Sequence, residues 1–157
     1  MRTLGNILWH FPLFGFVQAA LTWLLGLILT ITVIAAPIGR GLMEYGKFLF
    51  APFSKAMVRR SALNEKQNPV WKAYSVIITV LYLPFGLILA VVAILQIAAL
   101  ICTIAGIPMA IVLAKSLGTF FNPVNKKCVP RAVAIELERR ASAGAVERHL
   151  ASEQAGE

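Results

Sequence analysis

The sequence of 157 residues contains no aspartate and only two histidines and two cysteines. No serine or cysteine has a general base nearby in the sequence, so the pattern of a nucleophilic catalytic site is missing. Cys102 and Cys128 lack the spacing of a zinc or redox site. These absences predict a protein that is not an enzyme and that uses no cofactor and no metal.

Charge is missing from two long stretches of the chain. There is no Asp, Glu, Lys or Arg between Thr3 and Gly39, and none from Ala73 through Ala114. An uncharged apolar run of 18 or more residues is a transmembrane candidate. Hydrophobic residues make up 59% of the chain, against roughly 45–50% in a soluble domain. The sequence therefore predicts an integral membrane protein, and the first stretch is too long for a cleavable signal peptide.

Basic residues flank the uncharged stretches and give the chain a formal net charge of +8. This placement favours contact with anionic lipid headgroups over binding to nucleic acid. Because basic loops remain on the cytoplasmic side, we expect the N-terminus, the connector and the C-terminus of a multi-pass protein to be cytoplasmic. The predicted headgroup contacts are Lys55, Arg59, Arg60, Lys72, Lys126 and Lys127.

A shift of 71 residues lays the second half of the chain on the first without a gap. Glycine and proline constrain the backbone, so their recurrence indicates a recurring chain path. We predict one membrane repeat at 3–60, a basic cytoplasmic connector at 61–71, a second repeat at 72–130, and a cytoplasmic helical tail at 131–157 with a frayed end. The informative matches are Phe14-Gly15 with Phe85-Gly86, Pro37 with Pro108, Pro52 with Pro123, and Lys55 with Lys126.

Length limits how each repeat crosses the bilayer. The first stretch, 37 residues from Thr3 to Gly39, spans about 55 Å as helix, whereas two crossings need about 60 Å and a turn. We therefore predict an all-α integral membrane protein with two tandem, parallel repeats. Each repeat is a kinked or re-entrant helical hairpin followed by an amphipathic helix that opens at a proline. The predicted helix-break positions are Pro12, Gly15, Pro37, Pro84, Gly86 and Pro108.

Four charged residues, Arg40, Glu44, Lys47 and Lys115, lie near the predicted membrane segments. One interpretation is anchoring at the headgroups, with Glu44 and Lys47 paired along one helix face. The other is an ion path lined by these residues, because helix N-termini opening at prolines attract anions. A charge pair between Glu44 and Lys115 of the second unit fits the ion path.

Two segments become specific after the apolar runs. Residues 37–53 read PIGRGLMEYGKFLFAPF, and residues 106–124 read GIPMAIVLAKSLGTFFNPV. They strongly resemble the YccF family of bacterial inner-membrane proteins, over roughly residues 3–130. The resemblance implies an inner-membrane location and two copies of a small domain of unknown function. Members often have Pro-Phe-Gly at the end of each unit, where this chain has Ser54 and Asn125, so we do not expect a glycine-dependent turn there.

Two functional hypotheses remain open. The first is a homo-oligomeric channel or transport-like pore for small ions or solutes, because a broken membrane helix needs protein around it. The second is a non-conducting accessory or scaffold protein that binds a larger membrane partner or anionic lipid. The tail contains a helix-supporting pair, Glu136 and Arg140, and serves in either case as a solvated helix or a contact between subunits.

Overall fold

A computed structural model describes residues 2–11, 14–63 and 68–154 of the chain. Pro12, one of the predicted helix-break positions, lies outside these residues. Most of the described chain is helical, with one pair of short strands and two short 3₁₀ turns. The elements in order are α1 (Arg2–His10), α2 (Gly15–Ile31), α3 (Ala36–Leu49), β1 (Lys55–Arg59), a 3₁₀ turn (Arg60–Leu63), α4 (Pro69–Ile101), a 3₁₀ turn (Ile104–Gly106), α5 (Ile107–Phe121), β2 (Lys126–Pro130) and α6 (Arg131–Gln154).

Helices α2 and α3 form an antiparallel hairpin. Pro37 lies in the first turn of α3, where its missing N–H needs no helical partner. The two helices approach closely because Gly26 and Gly39 face each other: a Cβ added to Gly26 would lie 2.7 Å from the carbonyl oxygen of Gly39. The hairpin therefore depends on small residues at its contact, as packed membrane helices often do.

The turn between α2 and α3 contains a backbone conformation that is rare for its residue type. Val33 has a φ of 58°, in the left-handed region that β-branched residues seldom adopt. The hydroxyl of Tyr74 in α4 donates hydrogen bonds to the carbonyl oxygens of Val33, at 3.2 Å, and Ile34, at 2.6 Å. Tertiary contact from the second half of the chain thus supports this turn.

Helix α4 runs through the position at which the sequence predicted a break. It extends over 33 residues with Pro84 inside it, so the predicted helix break at Pro84 and Gly86 is wrong. Proline removes one helical hydrogen bond and crowds the preceding turn, but the long apolar helix retains its other bonds. Gly86 instead provides a close contact, since an added Cβ there would collide with the carbonyl oxygen of Phe121.

The outer surfaces of α2 and α4 are strongly apolar. Helix α4 is long and apolar enough to cross a membrane, and only 22% of its most apolar 18-residue window is buried. Helices α2 and α5 are shorter apolar helices. An exposed apolar area of this extent indicates contact with lipid or with other proteins. Exposed large side chains include Phe16, Leu21, Leu25 and Ile28 on α2, and Ile77, Leu81, Ile88 and Leu95 on α4.

The prediction of an all-α fold is wrong in one respect, because β1 and β2 pair as a two-stranded antiparallel ribbon. The sequence interpretation treated these residues only as basic flanks of the membrane segments. Neither strand shows a simple alternation of apolar and polar residues, and the two partners are distant in sequence. The register is Lys55 with Pro130, Ala56 with Val129, Met57 with Cys128, Val58 with Lys127, and Arg59 with Lys126.

The core lies where α1, α3 and α5 meet beside the ribbon. Its buried side chains are Trp9, Ala19, Tyr45, Phe48, Leu49 and Val112, and Met57 and Cys128 pack against them. Trp9 is fully buried, and its indole N–H donates to the carbonyl oxygen of Leu49 at 2.8 Å. This bond attaches α1 to the end of α3 and satisfies a carbonyl that the helix leaves unpaired.

Two predicted boundaries shift in the structure. The connector at 61–71 overlaps α4, which begins at Pro69 with the Asn68 side chain accepting from the Val70 amide at 3.2 Å. The tail is one helix, α6, and residues 155–157 lie outside the described chain. The predicted pair in the tail is present, with Arg140 Nε 2.8 Å from a carboxylate oxygen of Glu136.

Candidate functional site: charged residues around the ribbon

Glu44 connects α3 to the ribbon. One of its carboxylate oxygens accepts from the backbone N–H of Cys128 at 2.9 Å, and the other lies 2.6 Å from Lys47 Nζ. The Glu44 side chain is 13% exposed, whereas the Lys47 side chain is 50% exposed. The predicted pairing of Glu44 with Lys47 is confirmed, but the carboxylate also supports β2, which sequence spacing did not indicate.

Lys115 in α5 does not pair with Glu44. Its ammonium group donates to the carbonyl oxygen of Pro52 at 3.2 Å and lies 4.6 Å from the centre of the Phe53 ring. The ion pair predicted between Glu44 and Lys115 is therefore wrong. Lys115 instead holds the loop before β1 by a hydrogen bond and a cation–π contact.

Arg40 in α3 stacks on an aromatic ring at the start of α4. Its guanidinium carbon lies 4.5 Å from the centre of the Trp71 ring. This contact fixes the orientation of an otherwise flexible side chain. The pairing was not visible in the sequence, where Trp71 looked like an interfacial residue of the second unit.

The four residues predicted to line an ion path are thus all engaged within the chain. Each holds an element in place: Glu44 and Lys47 on the side of β2, Arg40 at α4, and Lys115 at the loop before β1. In this single chain they do not converge on one channel. Their contacts instead explain how α3 and α5 are attached to the ribbon.

Five of the six predicted headgroup contacts lie on or next to the ribbon. Lys55 and Arg59 are on β1, Arg60 follows it, and Lys126 and Lys127 begin β2. Lys72 is separate and exposed in the first turn of α4. Pairing of the strands therefore concentrates positive charge that is spread along the sequence.

One small pocket at the ribbon is lined by three cations. Arg40, Arg60 and Lys126 surround it, and its volume of ≈ 10 Å³ admits about one water-sized group. Among the residues that the structure describes, no carboxylate lines it. Its remaining lining residues are Pro37, Gly41, Trp71 and Asn125.

Lys126 carries the electrostatic consequence of this arrangement. It lies directly opposite Arg59 in the ribbon, so two like charges face each other. Burial, and to a lesser extent the positive charge of Arg59, lowers the pKa of Lys126 from 10.5 to about 8. An anion in the pocket would favour the charged form of this lysine again.

Asn125 takes the conformation that a glycine would favour. Its φ is 57°, in the left-handed region, whereas Ser54 at the corresponding place in the first unit is not among the residues with positive φ. Asparagine tolerates this conformation better than most residues. The expectation that no glycine-dependent turn forms here holds at Ser54, but at Asn125 the turn geometry is present without glycine.

A second, larger cleft lies at the other end of the ribbon. It has a volume of ≈ 230 Å³ and is lined by Lys55, Lys115 and Arg131 together with Glu138 and apolar side chains. The positive charges of Lys115 and Arg131 repel each other. The carboxylate of Glu138 supplies a compensating charge that the small pocket lacks.

The described residues contain no group of three or more His, Cys, Asp or Glu side chains that could hold a metal ion. No curated protein and no solved structure is significantly similar to this chain. One family comparison does match, and it agrees with the apolar surfaces of the fold. Residues 4–55 match the YccF family, described as an inner membrane component domain, so this chain carries a YccF domain and belongs with bacterial inner-membrane proteins of unknown function.

Proposed function

We propose that the chain is a multi-pass inner-membrane protein of two related units, several copies of which assemble into a pore for small ions or solutes. The observation that carries this proposal is a pair of exposed carboxamides, Gln18 and Gln96, on otherwise apolar helices. The lipid bilayer is the first partner of such a protein, and other copies of the chain are the second.

The positions of the elements support two units, although the family match covers only residues 4–55. Helix α3 begins at Ala36 and α5 at Ile107, 71 residues later, and β1 and β2 begin at Lys55 and Lys126 with the same spacing. Helix α2 packs on α3 as α4 packs on α5. The single difference is that α4 continues through the break that separates α1 from α2.

Two backbone hydrogen bonds support a side-by-side, parallel arrangement of the units. The amide of Arg60 donates to the oxygen of Asn125 at 2.9 Å, and the amide of Arg131 donates to the oxygen of Ser54 at 3.0 Å. A shift of 71 converts one bond into the other. Such reciprocal contacts are the mark of a two-fold relation between similar units, and they fit basic borders that share the cytoplasmic face.

Helix lengths support a short or re-entrant arm in the first unit. Helix α2 has 17 residues and α3 has 14, which correspond to about 26 Å and 21 Å, below the roughly 30 Å of a hydrocarbon core. Helix α4, with 33 residues, is long enough. Incompletely spanning backbone is tolerated in a membrane only where protein or water covers it.

The exposed carboxamides connect these lengths to assembly. Gln18 and Gln96 are exposed, and neither side chain has a hydrogen-bond partner within residues 2–11, 14–63 and 68–154. An amide in hydrocarbon without a partner costs several kcal/mol. A neighbouring copy or a column of water would remove this cost, so the carboxamides favour an assembly with a polar path.

Solute flux through liposomes tests the pore. We expect the purified chain to conduct small ions, and we expect Gln18→Leu combined with Gln96→Leu to abolish conduction and weaken the oligomer. Gln154→Leu, the same change at an exposed position of α6, should leave both unchanged. Wild-type protein that forms the oligomer but passes no ion under either polarity contradicts the pore.

A second candidate is the non-conducting accessory protein. It is favoured by Arg40, Glu44, Lys47 and Lys115, whose contacts within the chain leave their charges serving the fold. It predicts no flux and a stable complex with one larger membrane protein or with anionic lipid. Recovery of the chain alone as a closed ring in a gentle detergent, together with flux, would contradict this alternative.

A further inference from the structure

We propose that Arg40, Arg60 and Lys126 form a binding site for one phosphate group, supplied either by an anionic lipid headgroup or by free phosphate. The inference rests on the proposed membrane location for its lipid source but not on a pore. Phosphate binding without ion flux would therefore contradict the pore alone, and flux without phosphate binding would contradict the site alone.

The three cations come from different parts of the chain. Arg40 lies on α3, Arg60 follows β1, and Lys126 begins β2, yet all three line one pocket. Arg59, opposite Lys126 in the ribbon, adds a fourth positive charge beside it. Folding thus brings together like charges that would otherwise remain apart in water.

Within the described chain, no acidic side chain compensates this charge at the pocket. Glu44, the acidic residue of α3, is occupied by the Cys128 amide and by Lys47. Facing like charges destabilise a β ladder, and burying a lysine beside an arginine costs more. A bound anion is the simplest chemical species that converts this repulsion into attraction.

The pocket is organised before any ligand binds. The Trp71 ring holds the Arg40 guanidinium, and the hydrogen bond from the Arg60 amide to the Asn125 oxygen, at 2.9 Å, fixes the turn that carries Lys126. Fixed side chains lose less conformational entropy on binding than flexible ones. Two guanidinium groups and an ammonium group suit the tetrahedral oxygens of a phosphate.

The size of the pocket limits how the ligand sits. A volume of ≈ 10 Å³ admits about one water-sized atom, so a single phosphate oxygen enters while the rest of the group remains at the mouth. This geometry suits a headgroup phosphate with an attached lipid as well as a free ion. It excludes a ligand that must be enclosed.

The cleft at the other end of the ribbon provides a matched comparison. A shift of 71 relates Arg60 to Arg131 and Lys55 to Lys126, and both Arg131 and Lys55 line that cleft. It differs by the carboxylate of Glu138 at its wall. The same charge changes can therefore be made at two related places, only one of which lacks an acid.

Trp71 fluorescence measures binding, because this ring lines the pocket and contacts Arg40. The full chain is placed in phosphatidylcholine nanodiscs and titrated with inorganic phosphate, and it is also placed in discs that contain phosphatidylglycerol. We expect a saturable change that Trp71→Phe removes. A change with inorganic phosphate identifies a free-phosphate site, and a change only with phosphatidylglycerol identifies a headgroup site.

The variants decide whether the three cations are responsible. Arg60→Gln and Lys126→Met are expected to weaken binding about tenfold or more, whereas Arg131→Gln and Lys55→Met leave it within about twofold. Lys126→Arg keeps the charge and should retain binding, which distinguishes loss of the site from loss of the fold. No saturable change with either probe, or equal weakening by Arg60→Gln and Arg131→Gln, overturns the proposal.

Discussion

Met57 lies directly opposite Cys128 in the antiparallel ribbon, and the two residues are 71 positions apart in the sequence. The same spacing separates Tyr45 from Ser116, whose side chains form a hydrogen bond between α3 and α5. Two contacts between residues of equal spacing, in different layers of the protein, define one local two-fold axis. The axis passes through the ribbon and the core, which explains why the charged clusters lie at opposite ends of the ribbon.

The register of the ribbon can be tested by a disulfide. Residues directly opposite each other in an antiparallel pair have Cα atoms about 4.5–5.5 Å apart, which a disulfide can bridge. In a Cys102→Ser background we expect Met57→Cys to form an intrachain disulfide with Cys128. Mass spectrometry of unreduced tryptic peptides would identify it.

Conditions and a control accompany that experiment. Burial raises the pKa of the Cys128 thiol to about 11, so the thiolate is scarce at neutral pH and the cross-link needs an oxidation catalyst at alkaline pH. Val58→Cys is the control, because Val58 pairs with Lys127 and points to the other face of the ribbon. Equal cross-linking of the two variants would show that the register is different.

Glu44 should matter more for stability than its partner Lys47. Glu44→Ala leaves the amide of Cys128 without the acceptor that it has at 2.9 Å, and we expect a loss of about 1–3 kcal/mol. Lys47→Ala removes only a half-exposed partner and should cost about 0–1 kcal/mol. Unfolding in mixed micelles measures both, and equal losses would mean that the ion pair, not the strand contact, is what Glu44 supplies.

Gly41 permits α3 to touch the loop before β2. A Cβ at this position would collide with the carbonyl of Pro123, so Gly41→Ala should force the two units apart. We expect a loss of about 1–3 kcal/mol in the free energy of unfolding. Gly144→Ala is the matched control, because nothing lies within 4 Å of an added Cβ there. It should be neutral or should stabilise α6 by up to about 1 kcal/mol, and an equal loss in both variants would contradict the contact.

Stability should rise with pH because of Lys126. Its pKa is about 8 in the folded chain against 10.5 ordinarily, so between these values the unfolded chain binds more protons than the folded chain. By proton linkage the free energy of unfolding increases with pH from about 8 to about 10.5. Lys126→Met should remove this increase and stabilise the protein at pH 7.

Lys72→Met, at an exposed position of α4, serves as the control for that experiment. It should leave the increase of stability with pH in place. The measurement belongs in neutral micelles without phosphate, because a bound anion would keep Lys126 charged. A pH profile that is the same in wild type and Lys126→Met would contradict the assigned environment of this lysine.

Local patterns in the sequence sufficed for several features of the fold. The uncharged stretches mark α2 and α4, and Pro37 and Pro108 mark the first turns of α3 and α5, because proline tolerates that position. The pairing of Glu44 with Lys47 followed from helical spacing alone. These features depend on neighbours within a few residues, which a single sequence displays directly.

Other features depended on partners far along the chain. Proline alone did not decide whether a helix breaks: α4 continues through Pro84, and no local signal distinguished this site. The ribbon was missed because β1 and β2 become recognisable as strands only when paired with each other. Trp71 as the support of Arg40 was missed for the same reason, since the two residues belong to different predicted units.

The sequence by itself determined the solvent of this protein and the period of its chain, because hydrophobicity, charge and proline spacing are properties of short segments. Only the tertiary structure decided that the two periods meet through a ribbon and that basic residues from separate elements surround one pocket. Charge along a chain has no direction until folding fixes distances. Repulsion between Arg59 and Lys126, and the pocket beside them, exist only after the strands have paired.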